Sequence, residues 1–268
     1  MPNYVTTTMQ VTGSVESVAR FRSLHCVVHP ESEQRRCDGT TYPQPSWIQF
    51  DFETVIPRPA ILDGIEASSR VADAIEVLTG RAMKQILADL HPDDQLAQML
   101  VSMHTAFAGA RSADDEKQRR ERLSNLSVRD LESGRRALQA IEECGYPTWY
   151  EWCTAKWGTK WNSTAFELVK DEPGHLVFRF DTAWSTPRPV LQTLAELYRD
   201  LAFVTDSFDE NYCFATHGVG EFGVFEEEVV DTNDATYEAA YGYPPEDDEN
   251  SLADDPHETN NEKRTTQS

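Results

Sequence analysis

Lys160 sits in the stretch YPTWYEWCTAKWGTKWN, residues 146–162, among four tryptophans, and Asp181 stands three residues before a further one, Trp184. A lysine and a carboxylate held in an aromatic pocket can do acid–base work, because burial displaces their pKa values. The competing reading, and the favoured one, is an ion pair or cap that fixes a strand-to-helix corner. Trp157, Trp161 and Trp184 raise a second chemistry, since indole stacks on nucleobases and flat sheets can present such faces to single strands. That use wants interleaved cations, and only Lys156 and Lys160 are at hand. Trp149 and Trp152 stand three apart, as on one side of a helix, so core packing is the expected fate of most of this indole.

The remaining reactive side chains form weaker patterns. His25, Cys26, His29 and Cys37 share one polar region, but their spacing is looser than that of a structural zinc site. No metal site and no cofactor are expected. The sequence contains no GxSxG elbow, no phosphate loop, no HExxH and no CxxC. GVGEFG at 218–223 is not followed by helical sequence and reads as a turn or bulge between strands. The five cysteines are odd in number and unpaired in spacing, which suits a reducing compartment.

Charge is distributed unevenly. The net charge is -22, of which residues 201–268 carry -16, with 18 acidic and 2 basic residues. No basic patch stands out, so duplex DNA and anionic membranes are disfavoured. No apolar run of membrane-spanning length and no signal peptide is evident. The expectation is a cytoplasmic protein. Glu226, Glu227 and Glu228 adjoin strand-like sequence, where carboxylates at fixed spacing can imitate phosphates; an acidic tail alone more often solvates.

These residues must be positioned by a recognisable series of elements. YVTTTMQVT, residues 4–12, reads as a strand, and Ser14 caps a helix with Val15, Val18 and Phe21 on one side. A polar loop follows, then an alternating strand over 47–56 that ends at Pro57. Residues 62–145 change to helical period, with faces Val71/Ile75/Leu78, Met83/Ile86/Leu87/Leu90 and Leu96/Met99/Leu100/Met103/Phe107, and a last helix closed by Gly145. Thr148 caps the tryptophan helix, from which Lys156 and Glu151 are expected to point away. A strand over 161–170, a turn at DEPG and a returning strand over 175–184 make a hairpin. Ser185-Thr186-Pro187 starts a helix with Val190, Leu191, Leu194, Leu197 and Tyr198 on its apolar side. Two or three strands finish the fold, and the chain after Tyr241 is too polar to stay ordered.

The predicted class is therefore α+β: a ferredoxin-like split βαβ antiparallel sheet with a large all-helical insertion and a disordered acidic C-terminal tail. The divisions are 1–61 and 146–240 for the two halves of the sheet domain, 62–145 for the insertion and 241–268 for the tail.

MPNYVTTTMQVTGSVESVARF, IPRP after a strand, ECGYPTWYEWCTAKWGTKWN and FDTAWSTPRPVLQTLAELY together resemble the YubB-type ferredoxin-like proteins of phages and conjugative plasmids. The resemblance spans roughly residues 1–230, with the helical block its loosest part, and the family is of unknown function. It implies the fold and a mobile-element setting, and it supplies no catalytic residues. With no catalytic motif found, the expected function is a non-enzymatic protein that binds a host protein, such as a nuclease or other defence factor. The surfaces expected to serve are Glu226–Glu228 and the group Trp157, Lys160, Trp161, Asp181 and Trp184. A single-stranded nucleic-acid binder and an unrecognised enzyme are the alternatives.

Overall fold

The computed structural model describes residues 3–35, 39–92 and 113–245. Its centre is β1 (Tyr4–Thr12), whose β-branched residues suit a pleated sheet. β1 pairs antiparallel with β7 (His175–Ala183) on one side and with β8 (Ala202–Asp209) on the other. Outside β7 lies β6 (Thr164–Glu172); outside β8 lie β9 (Ala215–Glu221) and β10 (Val224–Val230). The order β8-β1-β7-β6, with a helix after β1 and another after β7, is the ferredoxin-like split βαβ; β9 and β10 extend it.

The two crossover helices cover one face. α1 (Val15–His25) starts at Ser14, whose hydroxyl accepts the Ser17 N–H at 3.0 Å, and buries Val18 and Phe21. The Phe21 ring lies 5.5 Å from Tyr198, 5.8 Å from Phe203 and 6.4 Å from Phe178. The helix begun by Pro187, Arg188–Leu197, buries Val190, Leu191, Leu194 and Ala195. Leu197, expected on that side, is instead 60 % exposed. The helix ends there, and Tyr198 alone turns inward.

The predicted strand over 47–56 is shorter than the alternation suggests. β5 (Trp47–Phe50) stops where the Asp51 side chain accepts the Glu53 N–H and caps a 3-10 turn, Phe52–Thr54. β5 pairs with β2 (Cys26–His29) in a small separate sheet. The stretch read as a loop also holds a hairpin of β3 (Ser32–Arg35) and β4 (Thr41–Gln44). These short strands lack apolar alternation, which hid them.

The helical block contains α2 (Ser69–Thr79), α3 (Met83–Leu90), α4 (Ala113–Ser124) and α5 (Val128–Cys144). Gly80 and Gly145 close α2 and α5 in left-handed geometry, as their positions predict. α2 packs on α5 at Gly134, where a Cβ would come within 2.6 Å of the Ala74 methyl. Val71, Ile75, Leu87, Ala137 and Ala140 join the same hydrophobic core as the sheet. The predicted apolar face from Leu96 to Phe107 lies outside the described residues, as do Cys37 and the tail from residue 246.

The excursion leaves the small β2–β5 sheet and enters β6 of the main sheet at one clasp. The Phe52 N–H donates to Asn162 Oδ1 at 2.9 Å, and Asn162 Nδ2 donates to Asp51 Oδ1 at 2.6 Å. Gln49 donates to the Ser163 carbonyl, and the Ser163 hydroxyl to that of Phe50.

The opposite sheet face carries a helix that the sequence reading assigned to no element. The helix Asp234–Tyr241, α8 when the tryptophan helix (α6, Trp149–Lys156) and Arg188–Leu197 (α7) are counted, is capped by Asn233 and closed by Gly242. Its end is fixed by the Ala240 carbonyl, which accepts from Thr8 Oγ1 at 2.7 Å and Arg179 Nε at 3.0 Å. Among the described residues no helix is long and apolar enough to cross a membrane.

Candidate functional site

The tryptophan corner divides into a buried and an exposed half. Thr148 caps α6, and Trp152, Cys153 and Trp157 are buried. The Trp157 ring meets Phe52 and Trp152 edge-on, and its Nε1 donates to the Ile56 carbonyl at 2.9 Å. Glu151 does not simply point away: Thr148 donates to its carboxylate, and burial pushes that carboxyl above the ordinary range.

A belt of hydroxyls then ties the tryptophan segment to the end of β7. Thr159 Oγ1 donates to the Ala183 carbonyl at 2.9 Å and accepts the Ala183 N–H at 3.1 Å. Ser185 donates to the Gly158 carbonyl, and Thr182 to that of Ser185. The belt forces Trp184 into left-handed backbone, φ +72°, and the indole is 43 % exposed. A bulky residue in that region costs about 1–2 kcal/mol, and such strain concentrates at functional positions.

Lys160 Nζ lies 4.4 Å from the Trp161 ring centre, 4.9 Å from Trp184 and 5.9 Å from Tyr150. These are cation–π distances. Among the described residues Lys160 has no carboxylate within ion-pair range.

Asp181 is not part of this corner. It lies on the face of β7 that carries α8, where Thr6 Oγ1 donates to its Oδ1 at 2.8 Å. Burial pushes the Asp181 carboxyl up, the Thr6 hydrogen bond opposes this, and the Glu210 carboxylate adds to the rise. The structure thus brings Lys160, Trp161 and Trp184 together, buries Trp157 against Phe52 and Trp152, and leaves Asp181 on the face that carries α8.

Glu226, Glu227 and Glu228 occupy β10, at the opposite edge of the sheet, roughly 20 Å from the corner at 4.8 Å per strand. Glu226 and Glu228 are exposed, opposite Val219 and His217; Glu227 turns to the other face and accepts from Thr216 Oγ1 at 3.3 Å. Gln192 accepts the Phe225 N–H at 2.9 Å and so closes one position of the edge. The GVGEFG stretch is the end of β9 and, at Phe222-Gly223, the turn of the β9–β10 hairpin, with Phe222 79 % exposed.

The histidine and cysteine group disperses. His25 is buried, with Nδ1 2.7 Å from Thr54 Oγ1 and Nε2 2.8 Å from the Tyr198 hydroxyl. His29 stacks on Trp47 at 4.1 Å and bonds Gln49. Burial pushes the Cys26 thiol up to about 12. Among the described residues no three His, Cys, Asp or Glu side chains gather as a metal site requires.

Sequence reasoning missed a cluster of tyrosines. Tyr237 and Tyr241 stack on α8 with ring centres 4.3 Å apart, and Tyr212 lies parallel to Tyr237 at 6.0 Å. Tyr243 packs against both, and Phe208 forms the floor. The signal was present in NDATYEAAYGY: an Asn cap, tyrosines four apart and a closing glycine.

Residues 156–255 match the family model described as the ferredoxin-like domain in Api92-like protein. The sheet topology and this match together define an α+β protein with a ferredoxin-like domain, similar to a family whose function is unknown. Among solved structures, the crystal structure of a protein api92 from Yersinia pseudotuberculosis is similar at 12 % identity, with a TM-score of 0.39. That likeness covers 85 % of this chain and 98 % of the other. Comparison with curated proteins finds no match. The matched span starts at the end of α6, so β1, the central strand of the sheet, and α1, which packs on it, lie before it.

Proposed function

We propose that the protein is a non-enzymatic binding protein of a phage or plasmid that engages a host protein, such as a nuclease or other defence factor, by acidic mimicry of nucleic acid. The resemblance to the YubB-type proteins supports the setting. The observation that carries the binding mode is β10, where Glu226 and Glu228 project from one face of a paired strand, roughly 7 Å apart by strand geometry. Carboxylates so fixed lose little entropy on binding, unlike those of a loose tail. Glu221 and Asp206 extend the acidic surface, the latter joined to His217 at 2.8 Å. Replacing Glu226, Glu227 and Glu228 together by glutamine is expected to lower stoichiometric capture of the partner by the full tagged chain about tenfold, at unchanged fold by circular dichroism. Undiminished capture retires the acidic mechanism.

A second reading rests on Trp184. A left-handed, half-exposed indole beside a lysine with no carboxylate in ion-pair range among the described residues suits the stacking of a base and contact with its phosphate. The variant Trp184→Gly relieves the backbone and is expected to keep or raise stability by about 1 kcal/mol. It should weaken binding of a short oligothymidylate at low salt about tenfold, as loss of one stacked base does. Tryptophan fluorescence of the unaltered protein that does not respond to the oligonucleotide removes this reading.

A further inference from the structure

The tyrosine cluster is built rather than incidental. Tyr212 adopts left-handed backbone, φ +58°, in the turn between β8 and β9. Asp209 fixes that turn: its Oδ2 accepts the Asn211 and Cys213 N–H groups at 3.1 and 3.2 Å, and its carbonyl accepts the Tyr212 N–H at 2.9 Å. The strain places an aromatic ring parallel to Tyr237 yet leaves it 49 % exposed; Tyr243, at the other side, is 52 % exposed. Rings held this way without being buried serve a surface, and tyrosine is a residue type favoured at binding hot spots.

Two carboxylates and one guanidinium, that of Arg179 against Gly242, stand beside the rings. Asp181 and Glu210 both stand close enough to Tyr241 to act on its hydroxyl. Glu210 is held by the Tyr4 N–H at 2.9 Å, and Asp181 by Thr6. Arg179, which also acts on Asp181, is engaged by Glu167 at 2.6 Å and by the end of α8, so two carboxylates face one cation already in use. Aromatic faces bordered by carboxylates attract a cation, and a planar guanidinium both stacks and bonds in a fork, as an ammonium does not.

We propose that the ladder Tyr212–Tyr237–Tyr241–Tyr243 is a docking surface for an arginine-bearing segment of a partner protein, with guanidinium groups stacked on Tyr212 and Tyr243 and their charge met by Glu210 and Asp181. It uses residues separate from Glu226–Glu228 and stands whether or not the β10 reading holds.

The test titrates labelled octa-arginine and octa-lysine into the full chain at physiological salt. The unaltered protein is expected to bind octa-arginine several-fold more tightly than octa-lysine. Tyr212→Gly with Tyr243→Ala, the first of which suits the left-handed backbone, should remove that preference and weaken octa-arginine binding at least about fivefold. Glu210→Gln should weaken both peptides, and the Glu226–Glu228 glutamine variant should leave the arginine preference intact. Equal affinity for the two peptides, or a preference that survives the double tyrosine variant, overturns the proposal and assigns the binding to diffuse charge of the C-terminal quarter.

Discussion

Trp157→Ala is expected to lower the unfolding free energy by about 3–5 kcal/mol, the range for deleting a large buried aromatic side chain. Trp157 is 3 % exposed, sits edge-on between Phe52 and Trp152, and gives its N–H to the Ile56 carbonyl, 101 residues away in sequence. The truncation therefore leaves a cavity and an unpaired carbonyl together. Trp157→Phe retains most of the apolar contact and isolates the second loss, expected at about 1–2 kcal/mol. Urea unfolding followed by circular dichroism measures both. A loss below that of the phenylalanine variant, or no loss at all, would show that Trp157 is not part of the core. The contrast with the neutral-to-stabilising Trp184→Gly separates structural indole from exposed indole within one corner.

The second large effect is a loss of stability in acid that originates at His25. Burial lowers its pKa from 6.5 to about 4, against a smaller opposing pull from Asp51. The hydrogen bonds suit the neutral ring. Thr54 donates to the Asp51 carbonyl, so its oxygen accepts from His25 Nδ1, and the Tyr198 hydroxyl donates into Nε2. Neutral imidazole is fully satisfied; a second proton on Nε2 requires the Tyr198 hydroxyl to turn its hydrogen away. The folded state resists a proton that the unfolded chain accepts, so stability is complete above about pH 6.5 and falls as pH drops toward 4. At about 1.4 kcal/mol per pH unit of separation, the loss approaches about 3 kcal/mol. The raised carboxyls of Glu151 and Asp181 act in the opposite sense, since protonating them favours the fold. The decisive measurement is thus the difference in pH slope between the natural chain and His25→Gln. Parallel slopes would remove His25 as the source.

The parts of the fold that local chemistry determines were readable in the sequence. YVTTTMQVT, the Ser14 cap, the turn at DEPG and the Ser185-Thr186-Pro187 helix start each specify their element within a few residues, and together they suffice for the split βαβ order. What escaped was decided at a distance. The alternation WIQFDF continues past Phe50, but Asp51 and Asn162 bond across 111 residues and end the strand there. DATYEAAY follows the last strand within the sheet domain and carries no element in the sequence reading, although its caps are visible. Within the tryptophan corner, packing of Trp152 followed from its helical spacing with Trp149, whereas Trp157, expected on a binding surface, is drawn into the core by Phe52 and the distant Ile56 carbonyl. The exposure of Trp184 was not legible, because it depends on a left-handed backbone imposed by hydroxyls on two separate segments. Asp181 was paired with Lys160 on proximity to tryptophan, whereas the period of two along β7 sends it to the tyrosine face.

The clasp at Asp51, Phe52, Asn162 and Ser163 has a consequence for how such a chain can change. A segment of about a hundred residues departs from and returns to almost the same point, so its ends need not move when its length does. The entropy of closing a flexible loop rises only with the logarithm of its length, about 0.6 kcal/mol for each doubling. Residues added or lost in the excursion, away from Val71, Ile75, Ala137 and Ala140, would alter the protein's outline at small thermodynamic cost while the sheet kept its register. The clasp makes this excursion the place where new surface can be acquired without renegotiating the fold.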